Sequence, residues 1–472
     1  MNLTIIILAM LPIALFAYAF ALWLGFYLLA RNARESLLRH VGLGLGAYAL
    51  ALGGATLFEV SNTPAQYSVS RALLAFLVLP PLFWSAAMVS LLPEDDDVRL
   101  CLEPLAGGFT TLAAPLFYVL ALAGGAFPQA GDGPAATAYW LLAALLALLM
   151  LLALLLSLRA YRRTAARKKT HGLLIAATLF FGLGLGLLLL PLGWISFELL
   201  ILLIAPDLLL LGIAVAFLDA LSEGEALWPD LKRSLVAATF TALLFGLQIG
   251  LVMWLATGVT FAIVALLHLA VGTAVLLAAF STPLSGVLDR LVLAGNPEQL
   301  RERRHLLAER EAALRRDQSK DPLLLPEDEF ARLTRRAFSH MNNLPRLARS
   351  PLTRLPQVER RLRTRGGADT SLERAGILRQ VLAESVQRLK PQGAEDFASS
   401  DEWRFYNALY FPYVVGLRPY SRRANHDELA ESEREALQWL RRDVPQRTLY
   451  NWQTAAAELV ARDLRERFED NL

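Results

Sequence analysis

Residues that usually carry enzyme chemistry are scarce in this sequence. One cysteine, Cys101, occurs among 472 residues. An intrachain disulfide and a cysteine-based metal site are therefore excluded. The apolar neighbours of Cys101 predict a small buried hydrophobe. Six histidines are present, and His268 has no second His or Cys at a metal-ligand spacing. Charged residues make up only 19% of the chain, and the formal net charge is +3. So small a surplus gives no global case for nucleic acid or an acidic partner. No catalytic residue, metal or cofactor is expected.

Apolar sequence takes the place of charge, at 55% of residues. It is concentrated before about residue 290, where Leu, Ala, Gly, Phe and Val dominate. Runs of about 20 apolar residues cross a bilayer as helices, because unpaired backbone groups are not tolerated in hydrocarbon. Such runs fall at 3–30, 37–58, 71–92, 100–126, 136–158, 171–193, 197–219, 233–256 and 259–282. The first is too long for a signal-peptide core and lacks a cleavage site, so it reads as a retained span. The fold expected is all-α: a polytopic membrane helix bundle of eight to nine spans over 1–290, an exit helix over 291–320, and a small helical cytoplasmic domain over 321–472.

Basic residues set the orientation. "RNARESLLRH" carries Arg31, Arg34 and Arg39, and "RAYRRTAARKKTH" carries Arg159, Arg162, Arg163, Arg167, Lys168 and Lys169. Lys232 and Arg233 are assigned to the loop after the seventh span, while the alternate loops "AFPQAGDGPAATA" and "PLGWIS" have no basic residue. The N-terminus is expected outside a bacterial inner membrane and the C-terminus in the cytoplasm. Alternation places the acidic "PEDDDVR" loop inside.

Few polar groups interrupt the spans. Asp207 follows Pro206, Glu198 lies near the outer end of the same span, and Gln248 and His268 lie in the last two. Intramembrane ionisable residues mark ligand, cation or proton sites, so these four form the candidate ligand set. A hydrogen-bonded carboxyl that fixes packing is the competing reading for Asp207. "GLGLG" (182–186) has no preceding strand and reads as close helix packing rather than a phosphate loop.

Beyond the spans, "PEQLRERRHLLAEREAALRR" forms a helix with Leu300, Leu307 and Leu314 at heptad spacing. It is either a short homodimeric coiled-coil seam through 297–316 or a solvated helix. Pro322 and Pro326 mark a boundary. Phe330, Leu333, Ala337, Met341 and Leu344 then show helical periodicity. "FSHMNNLP" holds His340 in a context like a kinase phosphoacceptor box. No acid adjoins it and no ATP-binding domain follows, so it reads as a helix position.

Arginines crowd 332–365, with Arg335, Arg336, Arg360, Arg361 and Arg363 the candidates for lipid-headgroup contact. Thr370 and Glu373 form a capping-box pattern before a helix that Pro391 stops. The aromatics of "EWRFYNALYFPYVVGLRPY" suit a small core. Helices at about 428–442 and from Gln446 flank Val444-Pro445 like a helix-turn-helix. Leu449, Trp452, Ala456 and Leu459 point inward in that reading. Gln446, Arg447, Tyr450, Asn451 and Gln453 are exposed, all residue types that read bases. Acids outnumber bases from His426 onward, which makes DNA the less favoured partner.

"LWLGFYLLARNARESLLRHVGLGLGAYALALGGATLF", "LLLLGIAVAFLDALSEGEALWPDLKRSLVAATFTALLFGLQIGLV" and "PLSGVLDRLVLAGNPEQLRERR" together resemble the multi-span sensory region of bacterial seven-span sensor histidine kinases, in their long forms. The resemblance covers about 1–310 and implies a sensor region. The kinase core that follows it in that family is not found here. The C-terminal part resembles helix-turn-helix-like regions of bacterial proteins. The expected function is a non-catalytic membrane sensor that relays a signal to a cytoplasmic helical domain, with the bilayer and a cytoplasmic signalling protein as partners. The alternatives are a membrane-tethered DNA-binding regulator, and a transporter or membrane enzyme centred on Asp207.

Overall fold

The computed structural model describes residues 3–92, 96–123, 137–163, 168–189, 197–223, 227–281, 297–315, 321–366, 369–392, 397–420 and 429–469. Among them every regular element is a helix. The chain divides into two compact units. One comprises Met1–Leu218 and Leu231–Asp289, the other Asp219–Asp230 and Arg290–Leu472.

The N-terminal unit contains α1 (Leu3–Asn32), α2 (Ser36–Glu59), α3 (Pro64–Leu74), α4 (Leu79–Ser90), α5 (Asp97–Ala123), α6 (Thr137–Arg163), α7 (Lys168–Leu189), α8 (Phe197–Glu223), α9 (Leu227–Val252) and α10 (Phe261–Ala279). Among the described residues, seven helices are long and apolar enough to cross a membrane, so the unit is built as a multi-pass bundle. Segments 100–126 and 171–193 correspond to α5 and α7, whose apolar described stretches, Thr110–Leu122 and Leu174–Leu187, are shorter. Lys232 and Arg233 do not lie in a loop. α9 begins at Leu227 and carries them exposed on its second turn, a position from which long basic side chains reach the interface.

α2 is the hub of the unit and packs against α1, α3, α4 and α10. Its glycines permit the approach. A Cβ on Gly42 would lie 2.9 Å from the Gly25 carbonyl oxygen, and one on Gly25 would lie 2.9 Å from that of Gly42. Gly54 is tighter still, with a Cβ there 2.6 Å from the Leu74 backbone nitrogen. Small residues hold membrane helices together through such backbone contact. Gly184, within "GLGLG", makes room for the Ile204 side chain of α8, whose Cγ1 would lie 2.9 Å from a Cβ there. At one end of the bundle, Asp96 accepts from Arg159 Nε at 3.0 Å. This ion pair places the acidic turn before α5 and the basic end of α6 on the same side. Asp96 is held below the usual carboxylate range by that guanidinium. Cys101 is exposed rather than buried. In a membrane bundle apolar side chains face outward as readily as inward, so apolar neighbours do not imply burial.

The C-terminal unit contains α11 (Pro297–Arg315), α12 (Glu327–Ser339), α13 (Leu344–Leu347), α14 (Pro356–Arg365), α15 (Ser371–Gln387), α16 (Arg404–Leu409), α17 (Glu431–Arg442) and α18 (Gln446–Glu469). Phe330, Leu333, Phe338, Leu378, Leu382, Tyr406, Val460 and Leu464 belong to one core, and Ala312 of α11 is buried in it. Phe411, Leu417, Leu437, Leu440 and Leu449 form a second cluster.

Two sequence expectations change here. The helix read through Met341 and Leu344 stops at Ser339, with His340 as its buried C-cap. Asn343 then caps α13 by accepting from the Arg346 N–H. Thr370 accepts from the Glu373 amide as expected, and Glu309 of α11 takes the Ser371 and Leu372 amides at the same helix end. On α18, Leu459 is exposed, and Ala457, Val460, Ala461 and Leu464 form the buried stripe.

Candidate functional site

An open apolar cleft of about 410 Å³ lies between α1, α9 and α10. Leu11, Leu15, Phe16, Ala19, Phe20 and Trp23 of α1 form one wall, and Leu235, Ala238, Ala242, Leu243, Gly246 and Gly250 of α9 form the other. Leu267, Val271 and Val275 of α10 form the floor. The volume falls within the range of small-molecule sites. No lining residue is titratable.

α9 is the least buried of the apolar spanning helices. Trp23 Nε1 donates to Ser234 Oγ at 3.0 Å and ties α9 to α1. Thr241 Oγ1 reaches the Ala274 carbonyl of α10 at 3.5 Å. The helix ends in a π turn over Met253–Thr257, closed by the Gly258 N–H on the Met253 carbonyl at 2.9 Å. Gly258 takes φ 65, ψ −168, a conformation that side chains exclude. The apolar stretch of α9 beside the cleft, tied to α1 and α10 by these hydrogen bonds and little buried, can shift with little loss of packing.

His268 lies behind the cleft floor, buried among α1, α2 and α10. Nδ1 faces the Val264 carbonyl at 2.9 Å and Nε2 faces Thr56 Oγ1 at 3.0 Å. A neutral ring with its proton on Nδ1 donates to the first and accepts from the second. The Tyr18 hydroxyl donates to the His268 carbonyl at 3.0 Å, and its ring meets the imidazole edge-on at 4.8 Å. A Cβ on Gly272 would fall 2.6 Å from that hydroxyl, so only glycine leaves room. Both ring nitrogens are engaged, and His268 serves to join three helices.

Asp207 and Gln248 do not converge on His268. Asp207 is half-buried on α8 and neighbours the Tyr48 phenol electrostatically. The Tyr48 hydroxyl donates to the Ile201 carbonyl at 2.6 Å, one turn before Pro206. Gln248 is exposed on α9. The Glu198 side chain lies outside the described residues, as does the 282–296 stretch of the resemblance. Asp207, Gln248 and His268 do not line the cleft. The cleft escaped sequence reading because its lining residues are the same types that face lipid. Trp23, with a ring N–H inside an apolar run, was the available signal. Among the described residues no group of three or more His, Cys, Asp or Glu is placed to hold a metal ion.

In the C-terminal unit, Gln446, Arg447 and Asn451 are exposed at the start of α18. Tyr450 is half-buried beneath Arg335, whose guanidinium carbon lies 4.2 Å from the ring centroid. Gln453 donates to the Ala408 carbonyl at 3.3 Å. The base-reading set is thus divided, with Tyr450 and Gln453 turned toward partners inside the unit. The headgroup set divides as well. Arg335 and Arg336 are half-buried on α12, while Arg360, Arg361 and Arg363 lie on α14. Arg361 forms two 2.6 Å hydrogen bonds to Glu384, and Arg363 pairs with Glu359 at 2.7 Å.

No family model matches the chain, and neither a curated protein nor a solved structure matches it.

Proposed function

We propose that the protein is a non-catalytic sensor of an apolar, membrane-dissolved ligand. The ligand occupies the cleft between α1, α9 and α10, and the C-terminal unit carries the response on the cytoplasmic side of a bacterial inner membrane. The observation that supports this reading most is the pairing of an apolar cleft with a wall, α9, that is held by few contacts. A ligand shifts a conformational equilibrium only by binding one state more tightly, and a loosely secured wall supplies two such states. α9 leads directly into α10, and the chain continues from there to α11. The sequence likeness to multi-span sensory regions points the same way.

Two experiments test the reading. Native mass spectrometry of the protein extracted in mild detergent should show a co-purifying apolar molecule, absent from the Ala242→Trp variant whose indole fills the cleft. Equal adducts in both proteins, or none in either, would remove the cleft from the proposal. For the orientation, Cys101→Ser supplies a cysteine-free background. An impermeant maleimide added to whole cells should label a cysteine at Asn62 and spare one at Asn451. The reverse pattern would invert the topology.

A further inference from the structure

We infer that the C-terminal unit carries a binding site for a phosphate-type polyanion, in a polar pocket of about 310 Å³ between α14, α15 and α18. Arg360 and Arg361 enter it from α14, Arg388 from α15 and Arg467 from α18, above the buried side chain of Val381. Among the described residues, the hydrogen bonds of these guanidiniums to carboxylates run to Glu384 and Asp463. Glu384 takes Arg361 in a two-bond fork. Asp463 takes Arg388 at 2.5 Å and Arg467 at 2.8 Å.

Arg388 also donates to Ser385 Oγ at 2.6 Å, so its guanidinium is held from two sides. Arg360 is exposed at the rim and makes no side-chain hydrogen bond or ion pair among the described residues. The result is a local surplus of positive charge on partly immobilised forks with one free arginine. Guanidinium forks match phosphate oxygens geometrically, and three of these four have already lost much of their rotamer freedom to internal carboxylates. The inference goes beyond the proposed sensing of an apolar ligand and does not depend on it. It also narrows the five-arginine headgroup set: Arg360 and Arg361 belong to the site, and Arg335, Arg336 and Arg363 do not line it.

Calorimetric titration of inorganic pyrophosphate into the full chain, held in neutral phosphatidylcholine nanodiscs at fixed ionic strength, tests the site. Saturable binding is expected. Arg360→Ala should weaken it about tenfold, the effect of losing one charged hydrogen bond, and Arg360→Lys should restore part of the loss. Arg360 holds no partner among the described residues, so its removal leaves their packing intact. Arg379→Ala removes an exposed charge of α15 outside the pocket and should change the dissociation constant little. Absence of saturable binding, or equal weakening by Arg379→Ala, would overturn the site.

The same titration in nanodiscs containing phosphatidic acid, with phosphatidylglycerol as the control, separates the two phosphate sources. Weakened apparent pyrophosphate affinity with phosphatidic acid alone identifies a lipid phosphomonoester as the occupant. Undiminished affinity identifies a soluble phosphate compound.

Discussion

The Glu309 carboxylate accepts the backbone N–H of Leu372 at 2.8 Å, although the two residues stand 63 positions apart in the chain. It accepts the Ser371 N–H as well. The first amides of a helix have no partner within it, and a carboxylate there satisfies them and meets the positive end of the helix dipole. Glu309→Ala should therefore expose both amides and cost about 1 kcal/mol, in the range of a lost N-cap. Amide hydrogen exchange at Ser371 and Leu372 should accelerate several-fold. Unchanged protection would show that Glu309 does not cap α15.

The fork between Arg361 and Glu384 predicts a dependence on pH. The hydrogen bonds from Arg361 hold the Glu384 carboxyl below its ordinary value of 4.5. A carboxyl depressed by folding stabilises the folded state above its unfolded value, and that contribution disappears as pH falls through the lower folded value. Glu384 is half exposed, so the effect is a few tenths of a kcal/mol. Glu384→Gln should lower the unfolding midpoint of the C-terminal unit at pH 7, and the deficit should shrink as pH falls below 4.5 toward pH 3. A deficit of equal size at both values would contradict the assignment. For Asp463, burial pushes the carboxyl up, but the hydrogen bonds from Arg388 and Arg467 outweigh it and the net shift is downward.

Gly54→Ala should damage the N-terminal unit out of proportion to one methyl group. The new Cβ would sit 2.6 Å from a backbone nitrogen, which cannot rotate aside. Overpacking of this kind costs roughly 1–3 kcal/mol. Gly46→Ala, on the same helix with open space around its Cα, supplies the control. Thermal unfolding of the two variants in detergent should separate them clearly. Equal midpoints would refute the close crossing of α2 and α3.

Arg335 and Tyr450 should be energetically coupled. A double-mutant cycle with Arg335→Gln and Tyr450→Leu, read by denaturant unfolding of the C-terminal unit, should return about 0.5–1 kcal/mol for a partly exposed cation–π pair. A coupling near zero would leave both side chains free to serve an external partner.

Much of the architecture was legible because lipid imposes a strong pattern. Most apolar runs of about 20 residues coincide with one helix each, but 71–92 divides between the end of α3, a 3-10 turn at Ala75–Val78 and α4, and the close glycine contacts of α2 were not read from the sequence. The C-terminal unit was harder to read. On α11, the side chains of Leu300 and Leu314 lie outside the described residues and Leu307 is half-buried, so the heptad reading is neither supported nor opposed there, while the described contacts to the rest of the unit come from Ala308, Glu309 and Ala312. Alanine and glutamate do not register as an apolar stripe, so no periodicity count could have found that face. On α18, choosing Leu459 over Val460 misjudged the stripe by one position, because Ala457 and Ala461 carry too little hydrophobicity to reveal the true face. Arg335 and Tyr450 were assigned to different partners, a lipid and a base, and the fold turned them toward each other.

The burial of Ala312 fixes the mechanical character of α11. A helix with one residue sealed in a core and a neighbouring carboxylate clamped on two amides has no freedom to spin about its own axis. Torque applied at Pro297 must turn the whole body of helices beyond it, as a key turns a lock barrel. A fluorophore placed far away, on α17 for instance, would therefore swing through the same angle as one placed on α11 itself.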